Sequence, residues 1–118
     1  MNENQTKKIE KPWGYELLYA LTDKYAGKIL FVKKGKRLSY QYHEKKDETM
    51  FIYKGKVEMT LEKNGEKKIV VFKEGDSIHF PPFTKHRVEA LEDSYILEVS
   101  TPELDDVVRI EDDFGRVR

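Results

Sequence analysis

At 118 residues the chain has the length of one domain, expected over residues 1–118, and its 22 Lys+Arg against 22 Asp+Glu exclude bulk attraction to nucleic acid or an anionic membrane. The absence of cysteine excludes disulfides and thiolate metal sites. No apolar run approaches the roughly 20 residues of a membrane span, and the polar opening MNENQTKK lacks a signal-peptide core, so a cytoplasmic protein is expected.

Residues 1–10 are polar and are expected to be loose. Order should begin at Pro12 to Tyr19, with Trp13 and Tyr15 as apolar anchors. Short runs rich in β-branched and aromatic residues then follow: 28–32, 37–42, 49–53, 57–63, 67–72, 77–80, 86–90 and 95–100. The turns between them are explicit at Lys34-Gly35, Lys54-Gly55, Asn64-Gly65 and Glu74-Gly75, and Asn64-Gly65 is a strong hairpin signal. The tail from Pro102 to Phe114 is acidic and has room for one short helical turn. Regular short strands without helical periodicity predict an all-β sandwich or barrel, and two matched half-motifs within them favour a jelly roll.

The half-motifs centre on His43 and His86. Along a strand, side chains at i and i+2 share a face, so Gln41 and His43 project together. The charged tetrapeptide Glu44-Lys45-Lys46-Asp47 reads as an exposed turn, after which Glu48 returns on the next strand. His86 lies just past Pro81-Pro82. Imidazole nitrogen and carboxylate oxygen are the common non-thiolate donors, so Gln41, His43, Glu48 and His86 form a candidate set for one divalent metal ion. Zn, Mn, Co, Fe and Ni all accept such a set.

The segment from Gly35 through Gln41, His43 and Glu48 to Gly55, and the segment Gly75, Pro81, His86, resemble the two motifs of the cupins. Gln41 stands where the first histidine is usual, Phe83 where glycine is usual, and Ala90 where asparagine is usual. A narrower resemblance rests on KPWGYE (11–16), LSYQYH (38–43), TKHRVE (84–89) and VRIEDDFGR (108–116). These segments look like the C-terminal cupin domain of type II mannose-6-phosphate isomerases, in which glutamine replaces the first histidine. Larger members of that subfamily join the domain to a sugar-nucleotide pyrophosphorylase, for which 118 residues leave no room, so the resemblance is to a stand-alone domain. It implies a cupin-type double-stranded β-helix (a jelly-roll barrel) and a homodimer.

Further residues carry alternatives. Arg37 and Ser39 share parity with Gln41 and His43, so Arg37 either meets a sugar phosphate in the cavity or snorkels at the rim. Lys85 and Arg109 are further substrate-binding candidates, although the segment 109–116 reads first as a latch of the tail over the barrel. Glu98, within Tyr95-Ile96-Leu97-Glu98-Val99, is either an inward catalytic base or an outward residue meeting a partner chain. His79 fits no ligand position and reads as packed or interfacial. Leu38, Tyr40 and Tyr42 fall on the face opposite the ligands and need a cover, either a second subunit or a terminal segment of the same chain.

The function implied is a metal-dependent aldose-ketose isomerase converting mannose 6-phosphate to fructose 6-phosphate, with a small-molecule sugar phosphate as partner and neither nucleic acid nor membrane. Two alternatives stand beside it: a non-catalytic cupin that binds a sugar or sugar nucleotide, and a metal-dependent oxygenase. The neutral amide of Gln41 favours Lewis-acid chemistry over oxygen activation.

Overall fold

The computed structural model describes residues 6–117. Its strands are β1 (Lys7–Lys11), β2 (Gly14–Leu21), β3 (Ala26–Val32), β4 (Tyr40–Tyr42), β5 (Glu48–Lys54), β6 (Lys56–Lys63), β7 (Glu66–Lys73), β8 (Ser77–Phe80), β9 (Lys85–Ala90), β10 (Ser94–Ser100) and β11 (Val108–Glu111). They form two antiparallel sheets in the orders β1-β2-β3-β10-β5-β8 and β11-β4-β9-β6-β7, the two-layer arrangement of an all-β jelly roll. No helix among the described residues is long and apolar enough to cross a membrane.

Strand alternation decides what the barrel encloses. In β10, Ile96 and Glu98 are buried while Tyr95, Leu97 and Val99 face outward. The pairing of β10 with β3 and β5 then sets the inner rows of the larger sheet. One row is apolar, Leu30-Ile96-Ile52; the next is Lys28-Glu98-Met50; the third is Ala26-Ser100-Glu48. Two residues along the strands, roughly 7 Å, thus convert an apolar core into a polar cavity. Val32, Ile52, Val57, Met59 and Ile96 fill the apolar end with no exposed surface.

Asn64-Gly65 makes the expected tight hairpin, with Lys63 opposite Glu66 and both loop residues at positive φ (55° and 80°). The ends of the chain differ from expectation. Residues 7–10, expected to be loose, belong to β1, which pairs with β2 from Lys7↔Leu18 to Lys11↔Gly14. An exposed edge strand of this kind is polar on the solvent side and carries little sequence signal. Residues 1–5 of that segment lie outside the described residues. The acidic tail forms turns and then β11, paired with β4, in place of a helical turn.

The segment before β4 corrects a second expectation. Between the isolated bridge Arg37↔Glu89 and the start of β4 the chain is irregular, so alternation lapses and both Leu38 and Ser39 are buried. Tyr40 is buried, donates its hydroxyl to Glu62 and lies under the Lys67 ammonium, while Tyr42 stacks on Phe83 at 6.0 Å. Strands β6 and β7 cover Tyr40, while the loop after β8 stacks on Tyr42 and the tail residues Val108, Ile110 and Val117 line the same hollow beside it. His79 is not packed inside; it is exposed on β8 and contacts Asp47 at 2.6 Å.

The tail is held by ion pairs. Asp112 accepts from the Arg116 guanidinium at 2.8 and 2.9 Å, and Asp113 accepts from Arg37 at 2.7 and 2.8 Å. The Arg116 side chain is the main cause that brings Asp112 down to about 2, and Arg37 likewise lowers Asp113. A carboxyl depressed in the folded state stabilises above its unfolded value, near 4, and loses that contribution as pH falls through the folded value. Acidification from about pH 4 to about pH 2 should therefore release the tail before the barrel melts. Amide exchange of residues 108–111 checks this: early loss of protection there, with β5 and β10 still protected, is the expected outcome.

Candidate metal centre

The turn from β4 into β5 and the inward face of β9 bring three donors together. His43 follows β4, Glu48 opens β5, and His86 on β9 lies directly across the strand pair from Gln41. His43 Nε2 is 3.1 Å and His86 Nε2 is 3.2 Å from Glu48 Oε1. Ligand atoms of all three residues lie within 4.8 Å of one another, and all three are buried. Two donors about 2.0–2.1 Å from a tetrahedral ion would sit roughly 3.3 Å apart, so the spacing suits one metal.

The hydrogen bonds on the far side of each ring decide the tautomer. His43 Nδ1 is 2.5 Å from the Asp106 carbonyl, and His86 Nδ1 is 2.9 Å from the Thr84 carbonyl. A carbonyl only accepts, so each Nδ1 carries a proton, and Nε2 is the ring nitrogen that faces Glu48 and is placed to meet a metal. Two imidazole nitrogens and a carboxylate converging in a buried site make a donor arrangement that suits a divalent cation. Consistent with this, His86 Nε2 is a buried polar atom without a hydrogen-bond partner among the described residues. The donors fit a divalent ion, and Gln41, the cross-strand partner of His86, lines the same cavity.

Asp106 organises the turn that carries His43. Its carboxylate accepts the backbone N–H groups of Glu44, Lys45 and Lys46 at 3.1, 2.6 and 2.8 Å, while its carbonyl orients the His43 ring. On the other side, Phe83 donates its N–H to the His43 carbonyl at 2.7 Å. Phe83 does so at φ 66°, the left-handed conformation that the usual glycine would adopt freely, at a cost of roughly 1–3 kcal/mol.

Behind Glu48 lies a second charged pair. Lys46 Nζ is 3.2 Å from both Glu48 Oε2 and Glu98 Oε2. Burial works against a charged Glu48, but the His43 and His86 rings at its Oε1 and the Lys46 ammonium at its Oε2 outweigh it and hold its carboxyl well below the usual range. Glu98 moves the other way: burial first, then the neighbouring Glu48, push it up to about 8. Two carboxylates on one wall are thereby driven apart in acidity.

These groups line a cavity of about 220 Å³ between the two sheets. Gln41, His43, Glu48, Glu98 and Arg109 face it, and His86 stands at its end with Glu48. Two expected substrate residues do not. Arg37 precedes the irregular segment, points to the tail and is engaged by Asp113. Lys85 alternates away from the inward His86 and sits outside, 3.8 Å from Glu62. The cavity instead adds Lys46, Lys28, Glu16 and Arg116, none of which the sequence singled out. Lys46 was masked by its setting: a fully charged tetrapeptide reads as solvent-exposed, yet this lysine is only 5% exposed.

A family model described as Mannose-6-phosphate isomerase C-terminal matches residues 1–112. The chain belongs to this family. Mannose-1-phosphate guanylyltransferase ManC of Salmonella typhimurium is 34% identical over 94% of this chain, and Xanthan biosynthesis protein XanB of Xanthomonas campestris is 29% identical over 93%. The chain spans about a quarter of those relatives' length, 23% and 24%. Oxalate decarboxylase of Bacillus subtilis superposes with a TM-score of 0.77 at 19% identity, over 90% of this chain and 30% of that one. KdgF of Halomonas sp. gives 0.70 at 25% identity, over 87% and 92%. The fold is that of the cupins.

His43→Ala and His86→Ala should each abolish stoichiometric metal binding while the β fold persists, because the apolar core lies in other rows. Asp106→Ala keeps the carbonyl that meets the His43 ring but removes the carboxylate that ties the 44–46 turn, and should weaken metal affinity about tenfold or more. Metal titration followed by atomic absorption, with circular dichroism as the fold control, checks all three; full stoichiometry in both histidine variants would show that the ion sits elsewhere.

Proposed function

We propose that this protein is a metal-dependent sugar-phosphate isomerase interconverting mannose 6-phosphate and fructose 6-phosphate. The observation that carries the reading is a single cavity in which three convergent metal donors stand beside a separate buried carboxylate, Glu98, and a buried ammonium, Lys46. Membership of a family described by the isomerase supports it. The names of the guanylyltransferase relatives point to mannose phosphate chemistry, though in chains about four times as long.

Aldose-ketose interconversion moves one proton between C2 and C1 and another between the two oxygens, through an enediol. A divalent ion held by Gln41, His43, Glu48 and His86 supplies Lewis acidity toward those oxygens. Glu48 serves as a ligand and is not free to act as base. Glu98 takes the C2 proton and returns it at C1. Lys46, pinned between the two carboxylates, donates a hydrogen bond to the oxygen on which charge develops. Burial of these groups keeps the travelling proton from bulk water.

The cavity volume discriminates against one alternative. At about 220 Å³ it is smaller than most small-molecule pockets, roughly 300–1,000 Å³, so it suits a monosaccharide phosphate better than a sugar nucleotide. For the oxygenase reading, the likeness to oxalate decarboxylase is one of fold alone. A coupled assay for fructose 6-phosphate tests the proposal. Activity should appear with divalent metal, vanish on chelation and return on metal addition, and Glu98→Gln should lower kcat by about a hundredfold or more with metal content unchanged. A metal-replete protein that forms no fructose 6-phosphate would favour the binding-only alternative.

The expected homodimer is best served by the outer face of the six-stranded sheet. Tyr15, Phe31 and Tyr95 form a ring ladder there at 5.2 and 4.9 Å, and Phe51, Tyr53 and Val99 beside it are 37%, 56% and 53% exposed. Contiguous apolar surface of this kind marks an interface. Sedimentation should give twice the 14.0 kDa chain mass, and Phe51→Lys with Val99→Lys should return it to the monomer; a monomeric unsubstituted chain would exclude the dimer.

A further inference from the structure

Resting on the sugar-phosphate reading above, we propose that the cavity wall away from the metal donors is a phosphoryl-binding subsite, with Lys28 at its centre and Arg109 and Arg116 reaching it from the tail. This assigns the anion to residues different from Arg37 and Lys85, the basic residues that strand parity and proximity to His86 suggested.

The strand order supplies the ruler. Across the inner face of the larger sheet, Glu48 is on β5, Glu98 on the adjacent β10, Lys28 on the adjacent β3, and Glu16 on the next strand, β2. Glu98 and Lys28 are direct cross-strand partners. Strands are about 4.8 Å apart, so β3 lies roughly 10 Å from β5. That is the reach of an extended six-carbon chain ending in a phosphate. A sugar with its C1 and C2 oxygens at the metal donors and its C2 hydrogen over Glu98 therefore sets its phosphoryl group beside Lys28.

Lys28 is an unusual residue to find in this position. It is 8% exposed, forms an ion pair with Glu16 at 3.3 Å and lies across the strand pair from Glu98. An ammonium has three N–H donors, and buried ion pairs rarely repay their desolvation in full, so stability is a weak reason for enclosing it. A ligand that uses the remaining donors is a stronger one. Arg109 and Arg116 line the same cavity, and Arg116 is close enough to Glu16 for that carboxylate to raise its basicity further.

Formal charge points the same way. Five cations line the cavity: Lys11, Lys28, Lys46, Arg109 and Arg116. Against them stand Glu16, Glu48, Glu98 and Asp105, with Asp112 neutralising Arg116 from a fully buried position. The set is balanced, so a divalent ion at His43, Glu48 and His86 leaves an excess of two positive charges. A phosphate monoester carries about −1.5 to −2 at neutral pH.

The experiment is calorimetric titration of inorganic phosphate, mannose 6-phosphate and mannose into the manganese-loaded protein. The variants are Lys28→Met combined with Glu16→Gln, which leaves no unpaired buried charge; Arg109→Gln; and Lys85→Met. Phosphate and mannose 6-phosphate should bind at least about tenfold more weakly to the double variant and several-fold more weakly to Arg109→Gln, with mannose affinity unchanged and Lys85→Met within about twofold of the unsubstituted chain. The subsite is overturned if the unsubstituted protein takes no phosphate, if the double variant binds it equally well, or if Lys85→Met loses as much. If the double variant fails to fold, Arg109→Gln alone decides by the same criterion. The two readings separate cleanly: Lys28-dependent phosphate binding by an inert protein removes the isomerase and keeps the subsite, whereas turnover with undiminished phosphate affinity in the double variant does the reverse.

Discussion

Lys28, Lys46, Glu48 and Glu98 lie inside the barrel at no more than 8% exposure, and the rest of the structure is arranged around keeping them there. Four charges on one wall would be costly if isolated, so each is set against an opposite partner: Glu16 to Lys28, Glu98 to Lys46, and Lys46 to Glu48 at 3.2–3.3 Å. The row ends at two imidazoles whose Nε2 atoms converge on Glu48. Such a wall contributes little net stability over an apolar one. Its organisation is what a polyhydroxy ligand and a metal ion would use.

The apolar and polar ends of the barrel are consequences of a single register. Because β10 pairs with both β3 and β5, one two-residue step carries all three strands from Leu30, Ile96 and Ile52 to Lys28, Glu98 and Met50 together. The core below holds the wall rigid, and rigidity lets carboxylates two residues apart on the pleat hold different acidities. The tail closes the other side. Asp106 ties the turn at 44–46 and the His43 ring to one residue, and Asp112 and Asp113 fix the segment beyond it through Arg116 and Arg37. An acidic stretch that looks like a solvated end of the chain thus supplies the outer support of the donor set.

The readable parts of the fold were those written as local signals. Hairpin residues, glycine punctuation and two-residue alternation located the central strands, and the spacing of His43, Glu48 and His86 located donors that the fold brings within 4.8 Å. Two edge elements, β1 and β11, escaped because a strand with one solvated side needs no apolar pattern. Arg37 misled because parity holds only while the chain stays extended, and it lapses at Leu38 and Ser39. Lys46 and Asp106 were illegible for another reason: their meaning lies in partners 52 and 60 to 63 residues away.

The sequence by itself determined the all-β class, the donor set and the family resemblance, since each depends on residue type at short spacing. The tertiary structure alone decided which charges are enclosed, which basic residues reach the cavity and which carboxylate is left beside the donors. Those outcomes depend on register between strands distant in the chain. A charged side chain carries no local mark of whether the sheet opposite will bury it or leave it in water.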